Sequence, residues 1–444
     1  MKYLFAIQAT IIFGMLLFCN NTFSQAARSP ISLKKPTGEE IYYRGTGAYF
    51  GKKYQVAILY FDRVIRMDKE FYSRAYNKRG QCNYRLENYK EARLDYDKSI
   101  ENAPRFAEAY NSRGKLSFHA LKKNEEALKD FEKAIDLNPR YSEAIYHIGL
   151  IHSSNEELPT AIDFFTKAIR LDVNNDDYFA SRGLAYCELS LYDSAILDLD
   201  SALVINPGNL DALTCRVICN IKLEEYDLAM EDIEEGISID SVDYWFWNER
   251  GVINAKFEND KMAVADFSKA VELSPDKAFL YGNRGDALVK LKKYDIALLD
   301  YNKSLEVDST YVAAVNNRGI LYDLMEENEL AILDFSNSIK LAPKRAAYSL
   351  NNRGNSYRKL KQFGKAKEDI EKSLELDANN GWAYATLAFI FADEGNDELF
   401  FENIELAISK PLAYPLKEKL EGEKSLTKYK SDDRFLKILG KSEK

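Results

Sequence analysis

Small and apolar positions return along this chain with a fixed step. Gly45, Gly80, Gly114, Gly149, Gly183, Val217, Gly251, Gly285, Gly319, Gly354 and Ala388 follow one another at intervals of 34 or 35 residues. Twelve residues after most of these markers stands an alanine: Ala57, Ala92, Ala161, Ala195, Ala229, Ala263, Ala297, Ala331 and Ala366, with Ala127 in register after one inserted residue. Four residues beyond comes a large side chain such as Phe61, Tyr96, Phe165, Phe267, Tyr301 or Phe335. Three beyond that is a small residue such as Ala168, Ala202, Ala270, Ser304 or Ser338. Steps of four and three put these side chains on one face of a helix. Pro104, Pro139, Pro207, Pro275 and Pro343 then close their units, because proline cannot continue a helix. Units repeating at this period predict a solenoid.

The order of these residues resembles the tetratricopeptide repeat over residues 38–411. The resemblance implies an all-α fold, a right-handed solenoid of about eleven antiparallel helix pairs, with small residues where the helices A and B of each pair approach closely. Thr37 and Glu40 predict a capping box that opens the first helix. Repeat eleven departs from the pattern: Phe400 replaces the spaced alanine, although Ala407 restores the later small position. Such a departure suits a terminal repeat, which faces solvent on one side. In the tail, residues 412–444, the spacing of Phe435, Ile438 and Leu439 predicts a capping helix.

An arginine precedes most markers: Arg44, Arg79, Arg113, Arg182, Arg216, Arg250, Arg284, Arg318 and Arg353. Sixteen residues later stand Asp95, Asp198, Asp232, Asp266, Asp300, Asp334 and Asp369, and Asp130 follows Arg113 by seventeen, in step with the insertion. Repeats four and eleven lose both members, having Ile148 with Phe164 and Leu387 with Asn403; repeat one keeps Arg44 but has Tyr60. This co-occurrence predicts a structural ion pair within each repeat, because removing one member of a buried pair strands the other charge. A phosphate-binding arginine has no reason to track an aspartate. The glycine beside it is expected to permit close helix approach, since mid-helix it otherwise costs stability.

The resemblance also implies that the A helices line a concave groove for extended peptides or partner helices. Three residues before the markers fall Asn77, Asn111, Asn248, Asn316 and Asn351, whose amides offer donors and an acceptor to a peptide backbone. Six before stand Trp245, Phe279, Tyr348 and Trp382, platforms for peptide side chains or sugar rings. The expected function is a non-enzymatic scaffold binding a protein or peptide, with a glycan- or cell-wall-binding module as the alternative. The family's Lys/Arg–Asn clamp for a C-terminal carboxylate is missing from repeats seven to nine, where Asn248 and Val252 occupy two of its positions.

Charge and targeting signals narrow the setting. The chain has 61 basic and 70 acidic residues and no basic block, which argues against a nucleic-acid partner. Residues 1–24 read as a signal peptide: Lys2, an apolar run from Tyr3 to Phe18, then Thr22 and Ser24 before the cut. The expected location is the periplasm or envelope of a bacterium, with residues 25–37 a short linker. Lipid anchoring through Cys19 is the alternative, weakened by the bulky Phe18 before it. Three histidines, His119, His147 and His152, make no metal pair on one helix face, and "GTGAYFG" at 45–51 misses the spacing of a dinucleotide loop. No cofactor or catalytic motif is expected. Cys82, Cys187, Cys215 and Cys219 read as small buried hydrophobes, with Cys187 and Cys219 the pair placed to bridge neighbouring A helices.

Overall fold

The computed structural model describes residues 36–410 except 68, together with 420 and 422–440. The signal peptide with its Cys19 alternative, most of the linker, and the start and end of the tail lie outside the described residues. Twenty-three α-helices and no strand occur among those described.

The described residues form two compact bodies, divided between Val173 and Asn174. The first holds repeats one to four: α1 (Gly38–Phe50) with α2 (Tyr54–Met67), α3 (Tyr72–Arg85) with α4 (Tyr89–Asn102), α5 (Ala107–Lys115) with α6 (Asn124–Leu137), and α7 (Ser142–Ser154) with α8 (Leu158–Leu171). The second begins with α9 (Asp176–Glu188), α10 (Tyr192–Ile205), α11 (Leu210–Lys222), α12 (Tyr226–Ile239), α13 (Tyr244–Lys256) and α14 (Asp260–Leu273). It continues with α15 (Ala278–Lys290), α16 (Tyr294–Val307), α17 (Val312–Leu324), α18 (Asn328–Leu341), α19 (Ala347–Lys359) and α20 (Phe363–Leu376). Repeat eleven is α21 (Gly381–Glu394) with α22 (Asp397–Ile408), and α23 (Asp433–Leu439) follows in the tail. Within each body the two helices of a pair pack together and the second packs on the next repeat, as in an all-α solenoid.

Local chemistry sets the ends of these helices. Thr37 Oγ1 accepts from the Glu40 amide at 3.2 Å while the Glu40 carboxylate accepts from the Thr37 amide at 3.2 Å, a complete capping box. Repeats one to ten turn from A to B through a residue with positive φ, from Lys52 (56°) and Glu87 (62°) to Glu326 (64°) and Lys361 (58°). In repeat eleven Gly395 takes the left-handed conformation.

The marker glycines sit under the large side chain of helix B. A Cβ on Gly80, Gly149 or Gly251 would come 2.6 Å from the ring of Tyr96, Phe165 or Phe267. Near the end of helix B the hydroxyls of Ser99 and Ser304 donate to the carbonyls of Ser73 (2.7 Å) and Ala278 (2.8 Å) at the start of helix A in the same repeat. Small residues at these points therefore draw the two helices together at both levels.

The inserted residue of repeat three is absorbed without breaking the pair. Residues Leu116–Ala120 widen into a π turn, with the Leu121 amide on the Leu116 carbonyl at 3.1 Å and the Lys123 amide on the Ser117 carbonyl at 2.8 Å. At the other end, Phe400 stacks on Tyr429 at 4.1 Å and joins Phe435 in a buried cluster, so the tail covers the outer apolar face of α22. Phe400 is thus a contact for the tail where the other repeats carry alanine.

Candidate interaction groove

The repeated arginine joins three helices. In repeat nine, Arg318 Nε and one terminal nitrogen donate to the two oxygens of Asp334 at 2.7 and 2.8 Å, a bidentate pair. Its remaining nitrogen reaches Asn302 of the preceding repeat at 2.7 Å. The same two-oxygen arrangement holds Arg113 to Asp130, Arg182 to Asp198, Arg216 to Asp232, Arg284 to Asp300 and Arg353 to Asp369. Arg79 meets both oxygens of Asp95, and Arg250 meets Asp266 through one oxygen.

Sequence spacing anticipates a pair confined to one repeat; the structure adds the strap backward. Arg79 also reaches Asp62, Arg113 reaches Asp97, Arg216 reaches Asp200, and Arg353 reaches the Ser336 hydroxyl. These partners sit two residues beyond the aspartate position, and their changing identity hides the contact from a search for one repeated residue type. A further amide supports the aspartate in several repeats: Asn83 donates to Asp95 at 3.0 Å and Asn254 to Asp266 at 2.9 Å. Where the aspartate is missing, in repeat one, Arg44 is exposed.

The five asparagines three before the markers divide into two groups. In the second body their carbonyls are taken by the next repeat: Asn248 accepts from Asn283 at 2.9 Å, Asn316 from Ser349 at 2.9 Å and Asn351 from Thr386 at 2.8 Å. These three serve as inter-repeat fasteners. In the first body, Asn77 and Asn111 are 2% and 3% exposed, yet neither Oδ1 has a hydrogen-bond partner among the described residues. A buried acceptor without a donor costs free energy until one arrives.

Both asparagines line a groove of about 710 Å³ across α1, α3, α5 and the neighbouring part of α7. Its walls bring together Tyr42, Tyr49, Tyr84 and Phe106 with Arg74, Lys78, Arg85 and Lys115. Lys115 is engaged by Glu143, whose other oxygen accepts from Asn111 Nδ2 at 3.0 Å. Lys78 donates to Gln81 Oε1 at 3.0 Å and lies 5.3 Å from the Tyr49 ring centre, and burial pushes its ammonium below the usual lysine range. Next to the groove, the π turn carries His119 against His147, their rings 5.3 Å apart.

The aromatic candidates are distributed differently. Trp245 is half-buried and packs edge-on against Phe246 at 5.1 Å; Phe279 leans on Tyr244 at 6.4 Å; Trp382 packs on the C-terminal cluster. Tyr348 is exposed. Three of the four thus contribute to helix packing, and the structure does not gather the set into one platform. Cys82, Cys215 and Cys219 are buried, Cys187 is half-buried, and all four are free thiols.

Models of the tetratricopeptide repeat match residues 44–107, 107–141, 280–311 and 347–380. No curated protein matches the chain. Among solved structures it is similar to the APC/C hetero-tetramer Cut9–Hcn1, at 14% identity over 86% of this chain and 83% of that one, with a TM-score of 0.46. It is similar to yeast Tom70 at 15% identity, over 91% and 99% of the two chains, with a TM-score of 0.42. It is also similar to YrrB, described as having an unusual peptide-binding site, at 22% identity over 42% of this chain and 97% of that one, with a TM-score of 0.38.

Proposed function

The chain is a tetratricopeptide-repeat protein, and from that premise we propose that it is a non-enzymatic scaffold that binds a peptide or partner protein in the groove of repeats one to four. The observation that carries this reading is the pair of buried, unpartnered carbonyls of Asn77 and Asn111 in that groove. Both are acceptors, and an extended peptide backbone supplies the N–H donors they lack. The rings around them offer area for side chains at low entropic cost. By contrast, the matching asparagines of the second body are already satisfied by the next repeat, which favours the first body as the binding site.

The setting we propose is the periplasm or envelope of a bacterium, on the strength of the charged, apolar and small-residue order of residues 1–24. Photo-crosslinking in intact cells tests both parts. A benzoylphenylalanine at Gln81 in the groove is expected to give a discrete adduct in the envelope fraction, and one at the exposed Leu299 on α16 to give none. An adduct from Leu299 alone would move the interaction to the B-helix surface.

A further inference from the structure

We propose that the segment held in this groove is acidic: an extended peptide whose carboxylates meet Arg74, Lys78 and Arg85. The inference rests on the groove reading above and adds the chemistry of the partner. The chain as a whole carries more acid than base, 70 against 61, yet this groove gathers four cations and two carboxylates. Of those carboxylates, Glu143 is taken up by Lys115. Glu108 is left facing three cations, none of which forms an ion pair among the described residues.

The deeply set arginines of the molecule are matched. Every arginine of the strap from Arg79 to Arg353 has its aspartate, and Arg358 in repeat ten, only 5% exposed, pairs with Asp393 at 2.8 Å. Lys78, set at intermediate depth, has no carboxylate of this kind among the described residues. Its ammonium is drawn into the groove wall against a neutral amide oxygen and a ring face, and burial alone opposes its charge. An incoming carboxylate supplies the missing partner in a place shielded from solvent, where a charge-assisted hydrogen bond is strong.

The orphan carbonyls decide for a peptide over a small anion. An acid with no N–H group satisfies the cations and leaves Asn77 and Asn111 unpartnered. An extended chain turns an N–H to one side at every second residue, about 6.5–7 Å apart, and carries carboxylates between them. Residues 1–35 of this chain are a poor occupant, since they hold Lys2, Arg28, Lys34 and Lys35 and no acidic residue.

The test is selection of random dodecapeptides displayed on phage against the full chain. Synthetic winners are then measured by fluorescence anisotropy beside acetylated, amidated hexaglutamate and hexaserine. The expected result is enrichment of Asp and Glu and hexaglutamate binding ahead of hexaserine. Affinity should fall about tenfold or more in Arg74→Gln/Lys78→Gln and fall as salt rises. Lys340→Gln in the second body serves as the control and leaves binding unchanged. Winners that lack acid but are lost with Asn111→Leu would overturn the acidic inference and keep the groove. Binding indifferent to all groove substitutions, in chains whose melting is unaltered, would overturn both.

Discussion

The ring of Phe246 on α13 occupies the space that a Cβ on Gly236 of α12 would need. One repeat earlier the corresponding residues are Ala202 on helix B and Ala212 on the next helix A, and one repeat later they are Ala270 and Leu280. The methyl group given up on one helix makes room for the ring on the next. The same exchange runs through repeat six, where Val217 stands at the marker and the smaller Ile233 replaces the ring. A close-packed interior requires this kind of compensation.

Gly236→Ala is therefore expected to destabilise the second body by about 1–3 kcal/mol, as overpacking does, although alanine is the better helix former. Combining it with Phe246→Leu should recover part of that loss, so the two changes are non-additive. Thermal melts of the four chains of this cycle measure the coupling. Strict additivity would show that the ring and the glycine do not constrain each other.

Breaking the arginine strap on one side only should be costlier than replacing both members. Asp334 is 2% exposed and accepts two bonds from Arg318. Asp334→Leu strands the guanidinium and is expected to cost about 3–5 kcal/mol. Arg318→Met with Asp334→Leu should cost less than that single change, as an apolar pair fills the space. Repeat four already shows the outcome, with Ile148 buried and Phe164 stacked on His152 at 5.3 Å. Denaturant unfolding followed by hydrogen exchange in α17 and α18 reads the order of these effects; a double variant weaker than the single would refute it.

The turn residues with positive φ hold a local cost that glycine removes. Glu258, at φ 62°, keeps a Cβ in the left-handed region, where L-residues lose about 1–2 kcal/mol. Glycine has no such penalty but gives back part of the gain as unfolded-state entropy. Glu258→Gly should thus stabilise the second body by about 0.5–1 kcal/mol, and the same change at Glu224 or Glu326 should add to it. Melting temperatures of the single and triple variants check the sum.

The fold was legible because eleven copies of one unit repeat the same steric demands. Gly80 under Tyr96 and Gly251 under Phe267 are the same contact, and a contact that recurs every 34 residues stands out from the composition around it. The pairing of arginine with aspartate was legible for the same reason. The backward strap was not, since Asp62, Asn302 and Ser336 meet the same nitrogen with different side chains. Nor was the division among the asparagines. Asn77 and Asn316 occupy one repeat position, and only the partner on the following helix separates an open acceptor from a filled one. The groove cations were not legible either, because Arg74, Lys78 and Arg85 fall at positions that the repeat leaves free.

The four thiols provide the last prediction, because their surroundings pull them apart. Cys187 is half-exposed, and a hydrogen bond from Cys219 draws its thiol down to about 7 against the opposing effect of burial. Cys219, the donor, is pushed in the opposite direction and is buried. Burial pushes Cys82 and Cys215 up to about 12. At pH 8 Cys187 is then largely thiolate while the other three remain protonated, and the thiolate is the reactive form. Iodoacetamide on the folded chain should label Cys187 first and almost alone, with a rate that rises through pH 7 and levels above it. Cys219→Ala removes the donor, so the midpoint should climb toward the ordinary thiol value and labelling at pH 7 should slow. Cys219→Ser keeps a hydroxyl donor and should retain most of the effect. Peptide mass spectrometry across pH 6–9 reads all three chains; labelling of Cys82 as fast as Cys187, or a midpoint untouched by Cys219→Ala, would mean that the thiol pair does not set the reactivity.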